Sequence, residues 1–325
     1  MKGLLVTGGA GFIGSHFVRR MSRRHPDTPL VVLDKLTYAA DPARIQGLQG
    51  VELVTGDICD AALVGALFAS RGLDAVVHFA AESHVDRSID GPEAFIQTNL
   101  VGTFTLLEAA RRAWGSETSA RFLHVSTDEV YGSLEQGEAR EGDPYAPNSP
   151  YSASKAGSDH LARAYHITYG LPVLVTHCTN NYGPFQHPEK LIPLAIHRMV
   201  QEEAVPIYGD GLNTRDWLFV EDHCAALEMV LSKGRPGATY GISQGAGQTN
   251  LALLEALADV VDQVLNRPAG SSRRCFTFVR DRPGHDRRYA LNSERLRQDL
   301  GWQPETSFQE GLRRTVEHYL SLAAL

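Results

Sequence analysis

The run LLVTG at 4–8 leads directly into GGAGFIG at 8–14, and the next apolar run, LVVLD at 30–34, ends on an acid about twenty residues further on. Few patterns limit a chain's fold so strongly. Gly8, Gly11 and Gly14 recur every third residue, and Gly9, Gly11 and Gly14 fit a GxGxxG form. Glycines there let the backbone turn tightly and approach a pyrophosphate, which then rests on a helix N-terminus. Asp34 is placed to accept hydrogen bonds from the adenosine ribose, and it would repel a 2′-phosphate. That favours NAD over NADP as the cofactor. Lys35 next door reads as a solvated loop lysine. A strand–helix turn that binds nothing is the competing reading. The preceding strand, the following helix and the spaced acid together favour the dinucleotide.

The same alternation continues. Further β-rich runs occur at 51–57, 75–81, 121–127 and 173–183. Helical spacing occupies 12–23, 60–70, 93–114 and 151–169. Strands alternating with helices predict an α/β fold, a Rossmann-type doubly wound parallel sheet with helices on both faces. Beyond about residue 180 the rhythm loosens into Pro-, Gly- and charge-rich stretches, with helical patterns at 189–203, 221–233, 249–265 and 308–320. In the last of these, Phe308, Leu312, Val316 and Tyr319 share one stripe. The expected division is a dinucleotide-binding domain over 1–180 and a smaller, mixed C-terminal substrate-binding lobe over 181–325. Some segments of that lobe are expected to return to the first domain.

A net charge of −7 argues against a nucleic-acid or anionic-membrane partner. The apolar run after Met1 is too short for a signal peptide, and no stretch approaches the ~20 apolar residues of a membrane helix. The expectation is a cytoplasmic protein. Cys59, Cys178, Cys224 and Cys275 are scattered without a CxxC pair, and the histidines form no HExxH motif, so no metal is expected.

Two clusters carry chemistry. PNSPYSASK (147–155) starts a helix, with Ser149 as a cap and Pro150 in the first turn. Tyr151 and Lys155 are four apart, which puts their Cβ atoms about 5–6 Å apart on one face. The ammonium is expected to lower the phenol's pKa, so that a phenolate can take an alcohol's proton as its hydride leaves. The second cluster is VSTDEVYG (125–132), where Thr127, Asp128 and Glu129 follow a strand. Neighbouring strand residues face opposite ways, so one carboxylate could merely cap a helix or pair with an arginine, unless the strand has already ended. Asp57 and Ile58 can pack around the adenine, and Phe79, Ala80, Ala81 and Ser83 can line the cofactor's middle, because open α/β sheets bind ligands at their strands' carboxyl ends.

AAESHVDRSI (80–89), STDEVYG (126–132), PYSASKAGSDHL (150–161), NNYGPFQHPEKLIP (180–193) and RDRPGHDRRYA (280–290) together resemble the dTDP-glucose 4,6-dehydratase family of the extended short-chain dehydrogenase/reductase superfamily. The resemblance runs from Gly3 to about Tyr319. It implies that Tyr151 deprotonates the sugar's 4-hydroxyl while NAD accepts the carbon-4 hydride, with Thr127 hydrogen-bonded to the 4-oxygen. Glu129 would then remove the carbon-5 proton, Asp128 would protonate the departing 6-hydroxyl, and the hydride would return to carbon 6. The implied cofactor set adds Phe12, Ile13, Leu36, Thr37, Thr98 and Asn181 to the residues above. The implied substrate set is Ser83, Thr127, Asn180, Glu189, Lys190, Leu191, Pro206, Ile207, Tyr208, Arg215, Asn250, Arg282 and His285, with dTDP-glucose as the small-molecule partner. His84 and Arg87 read as structural hydrogen-bonders. The apolar helices at 99–114 and 151–169 imply a homodimer.

His177 departs from the family's pattern, standing where an arginine is expected. Two alternatives stay open on sequence. One is another NAD-dependent sugar-nucleotide enzyme, a UDP-sugar 4,6-dehydratase or a 4-epimerase; epimerases generally lack the Asp–Glu pair, and related decarboxylases carry Ser in place of Asp128. The other is a non-catalytic NAD-binding regulator, which should have lost Tyr151, Lys155, Asp128 or Glu129.

Overall fold

The structure, a computed structural model, describes residues 1–115, 119–281 and 285–323. The first part of the chain forms β1 (Leu4–Thr7), α1 (Phe12–Arg24), β2 (Leu30–Asp34), β3 (Val51–Thr55), α2 (Ala61–Ser70) and β4 (Ala75–His78). There follow α3 (Val85–Asp90), α4 (Glu93–Phe95), a π-helical segment Ile96–Gly102, α5 (Thr103–Trp114), β5 (Arg121–Thr127), α6 (Pro150–Tyr169) and β6 (Val173–Cys178). The remainder forms β7 (Asn180–Tyr182), α7 (Leu191–Val200), β8 (Val205–Tyr208), β9 (Thr214–Phe219), α8 (Val220–Lys233) and β10 (Thr239–Ile242). It closes with β11 (Gly247–Thr249), α9 (Asn250–Val264), β12 (Phe276–Val279), α10 (Glu294–Leu300) and α11 (Phe308–Ala323).

The central sheet runs β10-β6-β5-β4-β1-β2-β3, with every pairing parallel. Its strands are apolar on both sides because helices cover both faces. On β1, Leu4 and Val6 pack toward Val18, Met21, Leu227 and Val230, whereas Leu5 packs toward Val64, Leu106 and Ala162. This is the doubly wound arrangement expected from the alternation. The seventh strand, β10, was not anticipated, because it lies more than sixty residues beyond its neighbour β6. With α8 and α10 it returns to the large unit.

The smaller unit holds a mixed three-stranded sheet, β11-β9-β7, and a parallel pair, β12-β8. Its core packs Tyr182, Ile196, Trp217, Phe219 and Leu257 with Leu312 and Val316 of α11. The predicted stripe is present: Leu312 and Val316 are buried, and Phe308 and Tyr319 pack at its margin.

The predicted helix over 93–114 is interrupted by the π turn. Asn99 lies in it, buried, and reaches sideways: its amide nitrogen donates to the Glu82 carbonyl (3.0 Å) and the Ser154 hydroxyl (2.9 Å), and its oxygen accepts from the Glu82 N–H (2.8 Å). The turn thereby ties the loop after β4 to the helix carrying Tyr151 and Lys155.

Candidate active site

A cleft of about 350 Å³ opens at the carboxyl ends of the sheet strands, within the ~300–1,000 Å³ usual for small-molecule and cofactor sites. Gly8, Gly11, Phe12, Ile13, Gly14, Asp34, Lys35, Thr37, Asp57, Ile58, Phe79, Ala80, Ala81, Ser83 and Thr98 line one part. Thr127, Asp128, Glu129, Tyr151, Lys155, Asn180, Asn181, Glu189 and Lys190 line the rest. The structure therefore brings most of the sequence-predicted residues to one place.

The first part fits a dinucleotide. Gly8 has φ +70°, and a Cβ there would lie 2.7 Å from the Ala80 backbone nitrogen. A Cβ on Gly14 would meet the Gly8 carbonyl at 2.2 Å. Helix α1 begins with no side-chain cap, leaving its end suited to a phosphate. Asp34 is buried at the end of β2, and its two carboxylate oxygens each accept one backbone N–H, from Ala10 and Leu36, both at 2.9 Å. Each oxygen keeps acceptor capacity for a ribose hydroxyl. Lys35 is not merely a solvated lysine, since it ion-pairs with Asp57 at 2.6 Å. Leu36 does not line the cleft. With φ +55° it turns its side chain back into the core and contributes only its N–H to Asp34.

The second part is built on β5 and α6. Strand β5 ends at Thr127, and Asp128–Tyr131 form a 3₁₀ turn. The alternation of strand side chains thus stops before the two carboxylates, and both line the cleft. Thr127 caps the turn, its Oγ1 accepting from the Glu129 N–H at 3.3 Å. Asp128 is 4% exposed. Its Oδ1 accepts a long contact from Thr127 Oγ1 (3.4 Å), and its Oδ2 has no hydrogen-bond partner among the described residues. Burial, with the neighbouring Glu129 charge, pushes its carboxyl well above the usual range. The shift is in the direction that lets a carboxyl keep a proton to give.

Helix α6 starts as the sequence predicts, with a capping box between Ser149 and Ser152 and proline in the first turn. Tyr151 and Lys155 are both buried. Lys155 Nζ donates to the Val125 carbonyl at 2.9 Å, which fixes it below the cleft floor. The expected lowering of the Tyr151 pKa is not found. Burial, the Glu129 carboxylate and Cys178 push the phenol well above its ordinary value, and the Thr127 hydroxyl pulls it down only in part. The phenol is surrounded by apolar and acidic groups, which disfavour its anion more than a lysine anchored on a carbonyl favours it.

Several predicted substrate residues lie elsewhere. Leu191, Pro206, Ile207, Tyr208, Arg215, Asn250 and His285 are not on this cleft's lining. Ile207 is 2% exposed, and its side chain sits inside the small unit's core. Arg215 is buried, donates to the backbone carbonyls of Thr214 and Asp286 at 2.8 Å, and lies over the Tyr289 ring. His285 pairs with Asp281 at 2.7 Å, and the Asn250 Oδ1 is buried with no partner among the described residues. Arg282 lies outside the described residues. Arg87 bonds Glu189 at 3.1 Å and stacks on Tyr38 at 3.7 Å, and His84 approaches the same carboxylate.

Tyr38, Glu82, Gln186 and His187 also line the cleft. Sequence reasoning missed them as site residues. They sit in loops, where no periodicity marks a side chain's direction. For Gln186 and His187 the one available signal was their place beside Glu189.

Sheet, cradle and Tyr–Lys pair define an NAD-dependent enzyme of the extended short-chain dehydrogenase/reductase class. Residues 5–315 match the family described as GDP-mannose 4,6 dehydratase. The dTDP-glucose 4,6-dehydratase of Xanthomonas campestris pv. campestris (strain B100) is 53% identical, over 98% of this chain and 93% of that protein. The dTDP-glucose 4,6-dehydratase 1 of Escherichia coli K12 is 49% identical, over 98% and 92%. The crystal structure of the Streptomyces venezuelae dTDP-glucose 4,6-dehydratase with NAD bound superposes with a TM-score of 0.90 at 48% identity, covering 99% of this chain and 98% of that one. The chain belongs to the GDP-mannose 4,6-dehydratase family and, within it, to the dTDP-glucose 4,6-dehydratases.

Proposed function

We infer that this protein converts dTDP-glucose into dTDP-4-keto-6-deoxyglucose and water, using NAD that is regenerated in each turnover. The observation that carries the reading is the Asp128 carboxyl: buried, without a partner on Oδ2, and next to Glu129 in the cleft that also holds Tyr151 and the dinucleotide cradle. A 4-epimerase has no elimination to catalyse and no use for a buried acid there.

NAD, when bound, takes the carbon-4 hydride and later returns it to carbon 6. Tyr151 takes the proton of the 4-hydroxyl as its phenolate, which the positive charges of bound NAD and of Lys155 favour against the burial that raises its pKa, and Thr127 hydrogen-bonds the 4-oxygen. Lys155, fixed on the Val125 carbonyl, supplies positive charge beneath the phenol. The ketone at carbon 4 acidifies the hydrogen on carbon 5, and Glu129 removes it. Asp128 gives its proton to the 6-oxygen, which leaves as water. A proton then returns to carbon 5 as carbon 6 is reduced. An acid and a base each contribute about 10²–10⁴-fold in such steps.

Asn180, Glu189 and Lys190 are assigned to the sugar and diphosphate, Pro206 and Tyr208 to the base, Arg215 to the diphosphate, and Asn250 and His285 to the diphosphate and nucleoside. A homodimer fits the surface. Ile89, Ile96, Val101, Phe104, Ile167 and Tyr169, on α3, the π segment, α5 and α6, are between 37% and 67% exposed, an apolar set that a second copy would cover. No helix among the described residues is long and apolar enough to cross a membrane, and a cytoplasmic location fits the use of NAD and a sugar nucleotide.

The test is to offer dTDP-, UDP- and GDP-glucose separately and follow the 4-ketone by its absorbance in alkali. Rapid conversion of dTDP-glucose is expected; a sugar epimer without a ketone would overturn the reading.

A further inference from the structure

Behind the cleft, on the same face of α6 as Tyr151 and Lys155, lies Asp159, so the three side chains recur every fourth residue along one stripe. Asp159 is 3% exposed. Its oxygens take hydrogen bonds from His124 Nε2 (3.0 Å), His177 Nε2 (3.0 Å) and Ser126 Oγ (2.9 Å). His177 also meets the hydroxyls of Tyr131 (2.9 Å) and Tyr145 (3.0 Å). The reaction assigned above uses none of these groups.

We propose that Asp159 is a positioning residue for this chemistry: its carboxylate is the buried counter-charge that holds Lys155 as an ammonium on the Val125 carbonyl, one helical turn from Tyr151. The inference rests on the role given to Lys155 above.

The charges around Lys155 support this assignment. From β4 it faces His78, from β5 His124, and from β6 Cys178; Asp128 and Glu129 line the cleft. Burial and the Glu129 charge raise the Asp128 pKa, which disfavours its anion. Burial and the Lys155 charge push His124 down to about 4, so it is neutral at pH 7. For Asp159, burial would raise the pKa, but the hydrogen bonds from His124 and His177 outweigh it and hold the carboxyl far below its usual range. Burial lowers the Lys155 pKa, and Asp159 is the chief group opposing that. Among the described residues, only imidazoles lie within ion-pair distance of Asp159. No guanidinium in contact cancels its charge, and Lys155 is left to feel it. His177 therefore has a reason to stand where an arginine was expected: it fastens the carboxylate by hydrogen bonds.

The chain has five lysines, at 2, 35, 155, 190 and 233, few enough to titrate singly. The experiment labels lysine with ¹³C at Cε and follows each signal against pH in the NAD-loaded protein, without substrate. In Asp159→Asn the Lys155 midpoint should fall by roughly one to two units, the other four staying in place. Asp159→Glu keeps the charge, and its Lys155 midpoint should stay within about half a unit of the parent's. The alkaline limb of kcat should move down with the Lys155 midpoint, which a merely structural loss would not cause. An unchanged Lys155 midpoint in Asp159→Asn overturns the proposal. If that variant does not fold, the ¹³C carboxyl signal of Asp159 in the parent decides: ionised at pH 5 supports it, and protonated overturns it. Because no sugar is present, failure of the dehydratase reading would appear in the sugar assay and leave this result untouched.

Discussion

Two buried aspartates near the cleft have pKa values shifted in opposite directions. Asp128 and Asp159 are 4% and 3% exposed, so burial acts on both. Asp159 receives three hydrogen bonds and its pKa is depressed; Asp128 receives one long contact, keeps an oxygen without a partner among the described residues, and its pKa is raised. Burial alone does not decide a carboxyl's charge. The donors aimed at it decide, because each bond to the anion offsets part of the desolvation cost. One region is built for permanence, and the other holds a proton ready to move.

The contrast can be broken most sharply at Asp128. Asp128→Asn keeps the shape and removes the proton, so dehydration of the natural sugar should fall by about 10²-fold or more. Exchange of the carbon-5 hydrogen with solvent deuterium should persist. An analogue with fluorine in place of the 6-hydroxyl needs little help from an acid and should be processed nearly as well as by the parent. Glu129→Gln should fail on both. Equal impairment of Asp128→Asn on the two sugars would remove Asp128 as the acid.

Stability should respond in the opposite sense. Asp159→Ala strands His124, His177 and Ser126, and urea unfolding should show a loss of about 3–5 kcal/mol. Asp128→Asn should leave stability at pH 7 unchanged or raise it, because it removes a group that already lacked partners. A large loss in Asp128→Asn would show that the carboxyl is satisfied.

pH separates them further. Asp128 has a raised folded pKa, so its contribution is fully favourable below the unfolded value of about 4 and is lost as pH rises toward the folded value. Any gain from Asp128→Asn at pH 7 should therefore vanish below about pH 4. Asp159 has a depressed folded pKa. Its contribution is present above about pH 4 and disappears only as pH falls through the folded value. Unfolding curves of parent and variants from pH 8 down to about pH 2 would check both signs.

A milder effect is expected at Arg215, whose proposed partner, the diphosphate, does not change during the reaction. Arg215→Ala should raise KM roughly tenfold with little change in kcat. A large fall in kcat at constant KM would count against that placement. The smallest effect belongs to a third aspartate, Asp57. Its partner Lys35 is 61% exposed, and Lys35→Ala should alter stability by less than about 1 kcal/mol by thermal unfolding.

Most of the cofactor half was legible in the sequence because its rules are local. A glycine spacing, a strand-terminal acid and a cap before Tyr151 each work within a few residues of chain. The substrate half was harder to read. Ile207 could line a cleft or fill a core, and only its neighbours across the small unit placed it in the core. Arg215 looked available for phosphate, yet its guanidinium is already bonded to backbone carbonyls brought from residues near 286.

By itself the sequence determined the alternation of elements, the dinucleotide cradle, and the order Thr127, Asp128, Glu129, then Tyr151 and Lys155. These follow from backbone sterics and from helix and strand periodicity, which act over short stretches. The tertiary structure decided in which direction each carboxyl's pKa moves, that burial raises rather than lowers the Tyr151 pKa, and that β10 completes the sheet. Those outcomes depend on solvent exclusion and on donors from distant segments: His124 and His177 reach Asp159 across 35 and 18 residues of chain. Desolvation and hydrogen bonding are properties of an assembled interior, and no local stretch of sequence carries them.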